Sequence, residues 1–413
     1  MLRNRTLLAV SIAVCAAYIG IGMVVPVRVL YAESQGASLA IIGAMASAYL
    51  ISNFLFQYPG GWLADQWGRK PMMLLSLLAQ AVLSLVYLFI TDPVLFVVLR
   101  FAEGIAAATF LPSARALIMD AVPGEKRGEA FGIFGAFFNV GFLFGPALGG
   151  LLAGLGYAIS FIGAVIFRLA AVALVMVMIK SNMQRRAEHQ QKSSVSLRQL
   201  FAVPLSGSYL LAFGDFLYIG FDITLVPLWM HDHLGASVEW IGVSYMLWSI
   251  PGIILAPIAG RIADRRRRST MILIFGLTQT PLFILYGLSN WFWLVASLYV
   301  VHGVLYAFIQ PAVDSHVASA SAGHARARIQ GLYSAFGLLG GFVGASGFSI
   351  LYSWNFRYPL FAIGIGYGIC VLIGGSMIRW AEHRNRLLYT PPEIYLEQEG
   401  NQPQTVLHVE SAN

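Results

Sequence analysis

The amino-acid sequence predicts an all-α membrane protein of twelve transmembrane helices, arranged as two pseudo-symmetric six-helix bundles. Three observations predict it. The 413 residues are 58% hydrophobic and only 11% charged, with a mean hydropathy of +0.72, whereas soluble domains carry roughly 25% charged residues. Apolar runs of about 20 residues, long enough to cross a bilayer core, recur along the whole chain. Finally, "GWLADQWGRK" at 61–70 returns as "GRIADRRRRS" at 260–269, an offset of 199 positions that other pairs keep.

The elements follow in order. Runs at 7–30, 39–60, 73–90, 94–118, 130–153 and 158–179 make a first set of six, and 207–229, 240–260, 271–288, 292–317, 329–352 and 358–379 a second. Lipid cannot satisfy backbone polar groups, so each run must be a helix or part of a closed barrel. The runs are too long and too uniformly apolar for barrel strands, which alternate every second residue. The first run follows basic residues as a signal peptide would, but its apolar character continues to Tyr31 and it has a counterpart later in the chain. It reads as span one. These runs place one bundle at 1–180 and the other at 207–380. Between them lies a polar linker at 181–206, and the tail at 381–413, with "TPPEIYLEQEGNQPQ", predicts disorder.

The net charge of +7 is a matter of topology rather than a nucleic-acid footprint. Arg3 and Arg5 precede span one; Arg69, Lys70, Lys126 and Arg127, the segment from Lys180 to Arg198, and Arg265 to Arg268 follow even-numbered spans. Arg326, Arg328, Arg384 and Arg386 continue the pattern, and Arg28 and Arg357 alone sit near the opposite ends. Basic residues collect on the cytoplasmic side. The expectation is a multi-pass protein of a prokaryotic cytoplasmic membrane with both termini cytoplasmic, probing no nucleic acid and working as a monomer. Cys15 and Cys370 lie within apolar runs and offer neither disulfide nor metal spacing. "MHDH" at 230–233 has a His-x-His spacing, read as a solvated outer loop without further ligands; no metal site is expected. No phosphate-cradling loop ending in Gly-Lys-Ser/Thr occurs, and no nucleophile–base pair marks an enzyme.

The repeat extends well beyond one loop. "YIGIG" at 18–22 meets "YIGFD" at 218–222, and "QGASLAIIG" at 35–43 meets "LGASVEWIG" at 234–242. Pro112 meets Pro311, Arg127 meets Arg326, and Gly132, Gly141 and Gly145 meet Gly331, Gly340 and Gly344. Internal repetition is the first clue to architecture. Units with an even number of spans share one orientation, so they are related by an axis along the membrane normal, with sites between them near the midplane.

These stretches carry a resemblance. "GWLADQWGRKPMML" is similar to motif A of the major facilitator superfamily, "LRFAEGIAAA" at 99–108 to motif B, and "GFLFGPALGG" at 141–150 to motif C of its antiporters. The match runs nearly the length of the chain and implies the major facilitator fold and the twelve-span drug:proton antiporter branch. It implies that Gly61, Asp65, Gly68, Arg69, Lys70 and Asp120 form a cytoplasmic gate. In that gate Asp65 latches the bundles in one state and Arg69 pairs with Asp120. Gly68 suits a tight turn and Pro71 the first turn of span three, with Arg69 and Lys70 expected at anionic lipid heads. In the second copy Asp264 remains, but the closing glycine is lost and Ser319 replaces Asp120. Gly141, Gly145 and Gly149 form a bare stripe that permits close helix approach in lipid, extended by Gly150, and Pro146 removes a backbone bond. The resemblance implies a sliding seam between the bundles.

Charges inside spans are costly unless paired or wet. Arg100 and Glu103 stand three apart on one helix face, which fits either a plain ion pair or the motif B arginine tuning a neighbouring carboxylate. His302 is the counterpart of Glu103. Asp215 and Asp222 stand two turns apart on span seven, about 10 Å along the axis, and span seven is expected to line the cavity. There a carboxylate can load and release a proton, with Asp314 on span ten as partner. Arg168, midway along span six, is the anomaly and favours an anionic or lipid-linked substrate. Tyr18, Tyr218, Trp248, Tyr299 and Tyr306 are candidates to stack on flat substrates. The expected activity is proton-coupled efflux of hydrophobic or amphipathic small molecules by alternating access. It would be driven by the proton gradient without a cofactor, its partners being substrate, protons and the lipid bilayer. A sugar, metabolite or lipid-linked substrate on the same fold is the alternative, and a non-transporting membrane sensor the alternative of another class.

Overall fold

The computed structural model describes residues 4–122, 127–179, 201–265, 267–320 and 326–384. Among them every regular element is helical. The first group is α1 (Arg5–Ser34), α2 (Leu39–Trp67), α3 (Arg69–Val86), α4 (Pro93–Ala107), α5 (Phe110–Ala121), α6 (Arg127–Ala153) and α7 (Tyr157–Met178). The second is α8 (Val203–Asp222), α9 (Val226–Asp232), α10 (Val238–Arg265), α11 (Arg268–Leu288), α12 (Phe292–Ala320), α13 (Arg326–Phe342), α14 (Phe348–Trp354) and α15 (Tyr358–Arg384). Eleven spans are long and apolar enough to cross a membrane, and α8 with α9 makes a twelfth when the bent pair counts as one.

Local chemistry sets the ends. Asn4 caps α1, its side chain accepting from the amides of Thr6 and Leu7 at 3.1 Å. Asp92 caps α4 through Val94 at 2.9 Å, with Pro93 at the first helical position where its missing N–H costs nothing. Gly36 and Gly235, repeat partners, turn with φ of 87° and 64°. Only glycine adopts these values freely, so the two turns are the same device used twice.

Two spans expected as continuous are broken, and proline explains both. Span four divides at Ala108 and Thr109 into α4 and α5; Pro112 has no N–H for the carbonyl of Ala108, and its ring crowds that oxygen. Span seven divides after Asp222 with a 42° bend between α8 and α9, where Pro227 does the same to the carbonyl of Ile223. The hydroxyl of Thr224 turns back onto the carbonyl of Gly220. Span eleven contains a wider π turn at Val343–Gly347 between α13 and α14. At the far end α15 runs to Arg384, past the expected start of the tail. Glu382 is buried there and bonded to the amide (3.2 Å) and hydroxyl of Ser269.

In the first group α1 packs on α6 and α7, α2 on α4, and α3 on α7. In the second α8 packs on α13 and α15, α10 on α12, and α11 on α12 and α15. The groups meet along two seams, α6 against α10 and α2 against α13. Both seams are tight at the end that carries the turns at 35–38 and 233–237. There a side chain on Gly150 would strike the Val238 carbonyl, and one on Gly43 would strike Ser349. Towards the other end Gly61, Gly132, Gly260 and Gly331 face open space. Among the described residues the two groups are packed together at one end and stand apart at these glycines towards the other.

Candidate functional site

Between the groups lies a cavity of about 420 Å³, within the range that holds a drug-sized ligand. The first group supplies most of its wall. Arg28 from α1, Arg100 and Glu103 from α4, and Arg168 from α7 all reach it, each no more than 8% exposed. Glu103 is the hub. Its Oε2 accepts from Arg100 Nη1 at 2.8 Å, lies 3.7 Å from Arg28 Nη2 and accepts from the Tyr87 hydroxyl at 3.4 Å. Arg100 also lies over the ring of Tyr49, 4.1 Å from its centroid, and Arg168 donates to the Ser84 hydroxyl. Arg100 and Glu103 therefore form the ion pair that their spacing suggests, and both also wall the cavity.

The charge pattern places Arg28 near the outer end of span one. The structure instead buries it beside Glu103 and 5.7 Å from the Tyr87 ring. The signal that points to it is tertiary, because α1 leans along α6 and α7 and carries residue 28 over α4. Arg168 ceases to be an anomaly on span six and becomes the third guanidinium of this cluster. Of the candidate stacking aromatics, Tyr18 lines the cavity, within a group that includes Phe138 at 4.2 Å and Phe142 at 6.5 Å between ring centroids.

The acids of span seven sit elsewhere. Asp215 and Asp222 are not part of this cavity wall, contrary to the sequence reading, because α8 turns both towards α12. Asp222 Oδ1 accepts from the hydroxyls of Tyr218 at 2.9 Å and Tyr299 at 2.8 Å. Its main-chain carbonyl, near the break in the helix, accepts from Tyr245 at 2.7 Å. Asp215 accepts from Tyr306 at 3.4 Å. Asp314, also outside the wall, accepts from Gln310 one turn earlier on α12 at 2.9 Å. Ile223 and Thr224, immediately after Asp222, do reach the cavity. The break thus joins the carboxylate to the wall through one turn of backbone.

The repeat offset links the two clusters. It pairs Arg100 with Tyr299, Glu103 with His302, Tyr87 with Tyr286, Gln80 with Gln279 and Arg168 with Tyr367. In the second group His302 Nε2 lies 2.6 Å from Gln279 Nε2 and its Nδ1 3.3 Å from the Tyr286 hydroxyl, while Tyr367 donates to Gln279 Oε1 at 3.1 Å. The same scaffold positions carry guanidiniums and a carboxylate in one half, and hydroxyls and an imidazole in the other. Reading that register along every polar intramembrane residue would have found Tyr87, Gln80, Tyr286 and Tyr367 from the sequence.

The remaining candidates have structural partners. Gly68 turns with φ of 95° between α2 and α3. Arg69 donates to the Ala116 carbonyl at 2.8 Å and pairs with Asp120. Lys70 donates to the carbonyls of Met176, at 2.9 Å, and Ile179, at the end of α7 where a cation is favoured. Both basic residues are engaged within the protein. The side chains of Asp65 and Asp264 lie outside the described residues, and so does the latch expected of Asp65. In the second copy Arg268 bonds to the Ser319 hydroxyl, a hydrogen bond where the first copy has an ion pair.

The glycine stripe also faces a different partner. Side chains on Gly141, Gly145 and Gly149 would strike α1 at Cys15, Ile19 and Gly22, and Met23. The seam to the other group is made by Pro146 and Gly150, which close on Gly242 of α10. Residues four apart form one stripe and cannot serve both neighbours; the fourth glycine, Gly150, turns to the next face. The "MHDH" stretch is the end of α9 rather than a loop. His231 lies 3.0 Å from the Ala236 carbonyl and His233 stacks on Phe356, 3.9 Å between centroids.

Known proteins agree with this architecture. The Major Facilitator Superfamily model matches residues 10–224 and 208–391. Multidrug resistance protein 2 of Bacillus subtilis is 25% identical over 383 residues, covering 89% of this chain and 93% of that protein. Quinolone resistance protein NorA of Staphylococcus aureus is 23% identical, covering 90% and 96%. A solved D-xylose-proton symporter superposes with a TM-score of 0.72 at 16% identity, over 91% of this chain and 96% of that one. Family model, helix count and paired seams converge: the chain is a multi-pass membrane protein and belongs to the Major Facilitator Superfamily of transporters.

Proposed function

We propose that this transporter exports amphipathic small molecules across the cytoplasmic membrane in exchange for protons, by alternating access, with both termini in the cytoplasm. The relatives named for multidrug and quinolone resistance support efflux, and the basic loops support the topology, which makes the splayed end the cytoplasmic one. The cavity then receives substrate from inside the cell. Proton and substrate exchange only if each favours a different state.

The observation that carries the coupling is the setting of Asp222. Two tyrosine hydroxyls donate to one carboxylate oxygen at a helix break that leads directly into the cavity wall. When the carboxylate takes a proton it loses its charge, and the two hydroxyl bonds, charge-assisted before, weaken and free the carboxyl to rearrange. The break between α8 and α9 is where that rearrangement reaches Ile223 and Thr224. The test is efflux of ethidium into everted vesicles under an imposed proton gradient. Asp222→Asn is expected to lower gradient-driven transport at least tenfold while facilitated exchange without a gradient persists. Unchanged gradient-driven transport would remove Asp222 from the mechanism.

A further inference from the structure

We infer that the cavity is built to hold the acidic head group of an amphipathic substrate, a carboxylate on an aromatic body, between Arg28 and Arg168. The charge count leads there. Three buried guanidiniums, Arg28, Arg100 and Arg168, surround the single carboxylate of Glu103, so this cluster holds two more positive charges than negative ones and Glu103 is shared. Glu103 takes its 2.8 Å hydrogen bond from Arg100. Arg28 reaches it only at 3.7 Å, and Arg168 has a serine as its hydrogen-bond partner. The Nε groups of both Arg28 and Arg168 are buried without any acceptor. Unpaired buried charge is strongly unfavourable, and guanidinium presents a planar fork that matches a carboxylate. An anion is the ligand that answers both facts.

The rest of the wall describes the body. Tyr18, Phe110 and Phe142 line the same cavity, with Tyr18 within 6.5 Å of both partner rings. Flat apolar groups stack on such rings. Where the first half has Arg100 and Arg168, the second has Tyr299 and Tyr367. Anion recognition therefore belongs to the first half. This inference rests on the transporter reading for its direction of movement, while binding itself is independent of that reading.

The test is equilibrium binding of 1-pyrenebutyric acid, a single carboxylate on an aromatic body, to the purified full-length protein in neutral detergent, beside its uncharged methyl ester and beside ethidium. The wild type is expected to prefer the acid to the ester at least tenfold. Arg28→Gln and Arg168→Gln should each weaken the acid tenfold or more, and Arg168→Lys, which keeps the charge without the fork, should weaken it less than Arg168→Gln. Glu103→Gln removes the competing carboxylate and should tighten acid binding, a gain that misfolding cannot imitate. Titration with phosphatidylglycerol separates the sources of the acidic group. Competition weaker than that of free benzoate-type acids supports a soluble amphipath, and tighter competition overturns it in favour of a lipid. Equal binding of acid and ester, or Glu103→Gln weakening the acid, overturns the site. Acid binding without gradient-driven transport of any dye would instead reject the exporter reading and leave the site standing.

Discussion

At the scale of single residues, the second half shows how an acid is kept inside a membrane without a cation. Asp222 is held by hydroxyls, and each such bond to a charged acceptor is worth about 1.5–3 kcal/mol. Tyr299→Phe removes the 2.8 Å donor and leaves Tyr218. Gradient-driven transport is expected to fall about three- to tenfold, less than for Asp222→Asn, with initial rates in everted vesicles as the measure. Arg100→Gln tests the other cluster. It takes from Glu103 its closest partner and leaves a poorly paired carboxylate, a change that costs about 3–5 kcal/mol in buried pairs. A fall in the melting temperature of purified protein is expected, and Glu103→Gln in the same chain should deepen it, because Arg28 and Arg168 then face no carboxylate. Arg100 and Glu103 were legible from their spacing alone, because helix geometry makes neighbours of residues three apart. Arg28 was not, because its meaning depends on its reaching Glu103 on another helix. Glu382 was hidden for a similar reason: a polar residue at a span's end looks like the start of a tail until Ser269 is found against it.

At the scale of elements, spans were legible because lipid admits few backbone solutions, and their breaks were only half legible. Pro112 and Pro227 break their spans, whereas Pro146 and Pro311 lie within continuous helices. Neighbouring packing decides which outcome a proline produces, and a sequence does not display its neighbours. The glycine stripe makes the same point and yields a prediction. A side chain at Gly149 would come within 2.0 Å of the Met23 carbonyl in the same group, and one at Gly242 within 2.3 Å of the Pro146 carbonyl across the seam. Overpacking of this kind costs about 1–3 kcal/mol, but the two sites charge it differently. Gly149→Ala should lower thermal stability in every state. Gly242→Ala should penalise only the state in which α6 and α10 touch, leaving stability nearly intact while shifting the population towards opening at that end. Thiol labelling of a cysteine placed at the closed end, in a chain with Cys15 and Cys370 replaced by serine, reads the difference.

At the scale of the whole molecule, duplication supplies the hinge and divergence supplies the work. The halves share spans, turns and seams, yet one has kept arginines where the other has tyrosines, so the shared scaffold holds two chemistries within reach of one cavity. For such a machine to turn over, the splayed end must close while the tight end opens, and one seam offers a ruler for that motion. Gly150 of α6 meets Gly242 of α10 at the closed end. Gly132 and Gly260 lie eighteen residues along from them on the same two helices, about 27 Å at 1.5 Å per residue, and both face open space. Equal lengths from a common contact place them level with each other. A Gly132→Cys, Gly260→Cys pair in the background without native cysteines should therefore stay reduced in the resting protein, because a disulfide needs Cα atoms within about 7 Å. Under a proton gradient with substrate the splayed end closes, and the pair is expected to cross-link and stop transport until reduced. Cross-linking that is equally fast at rest and in turnover would mean that the helices do not rock about this seam.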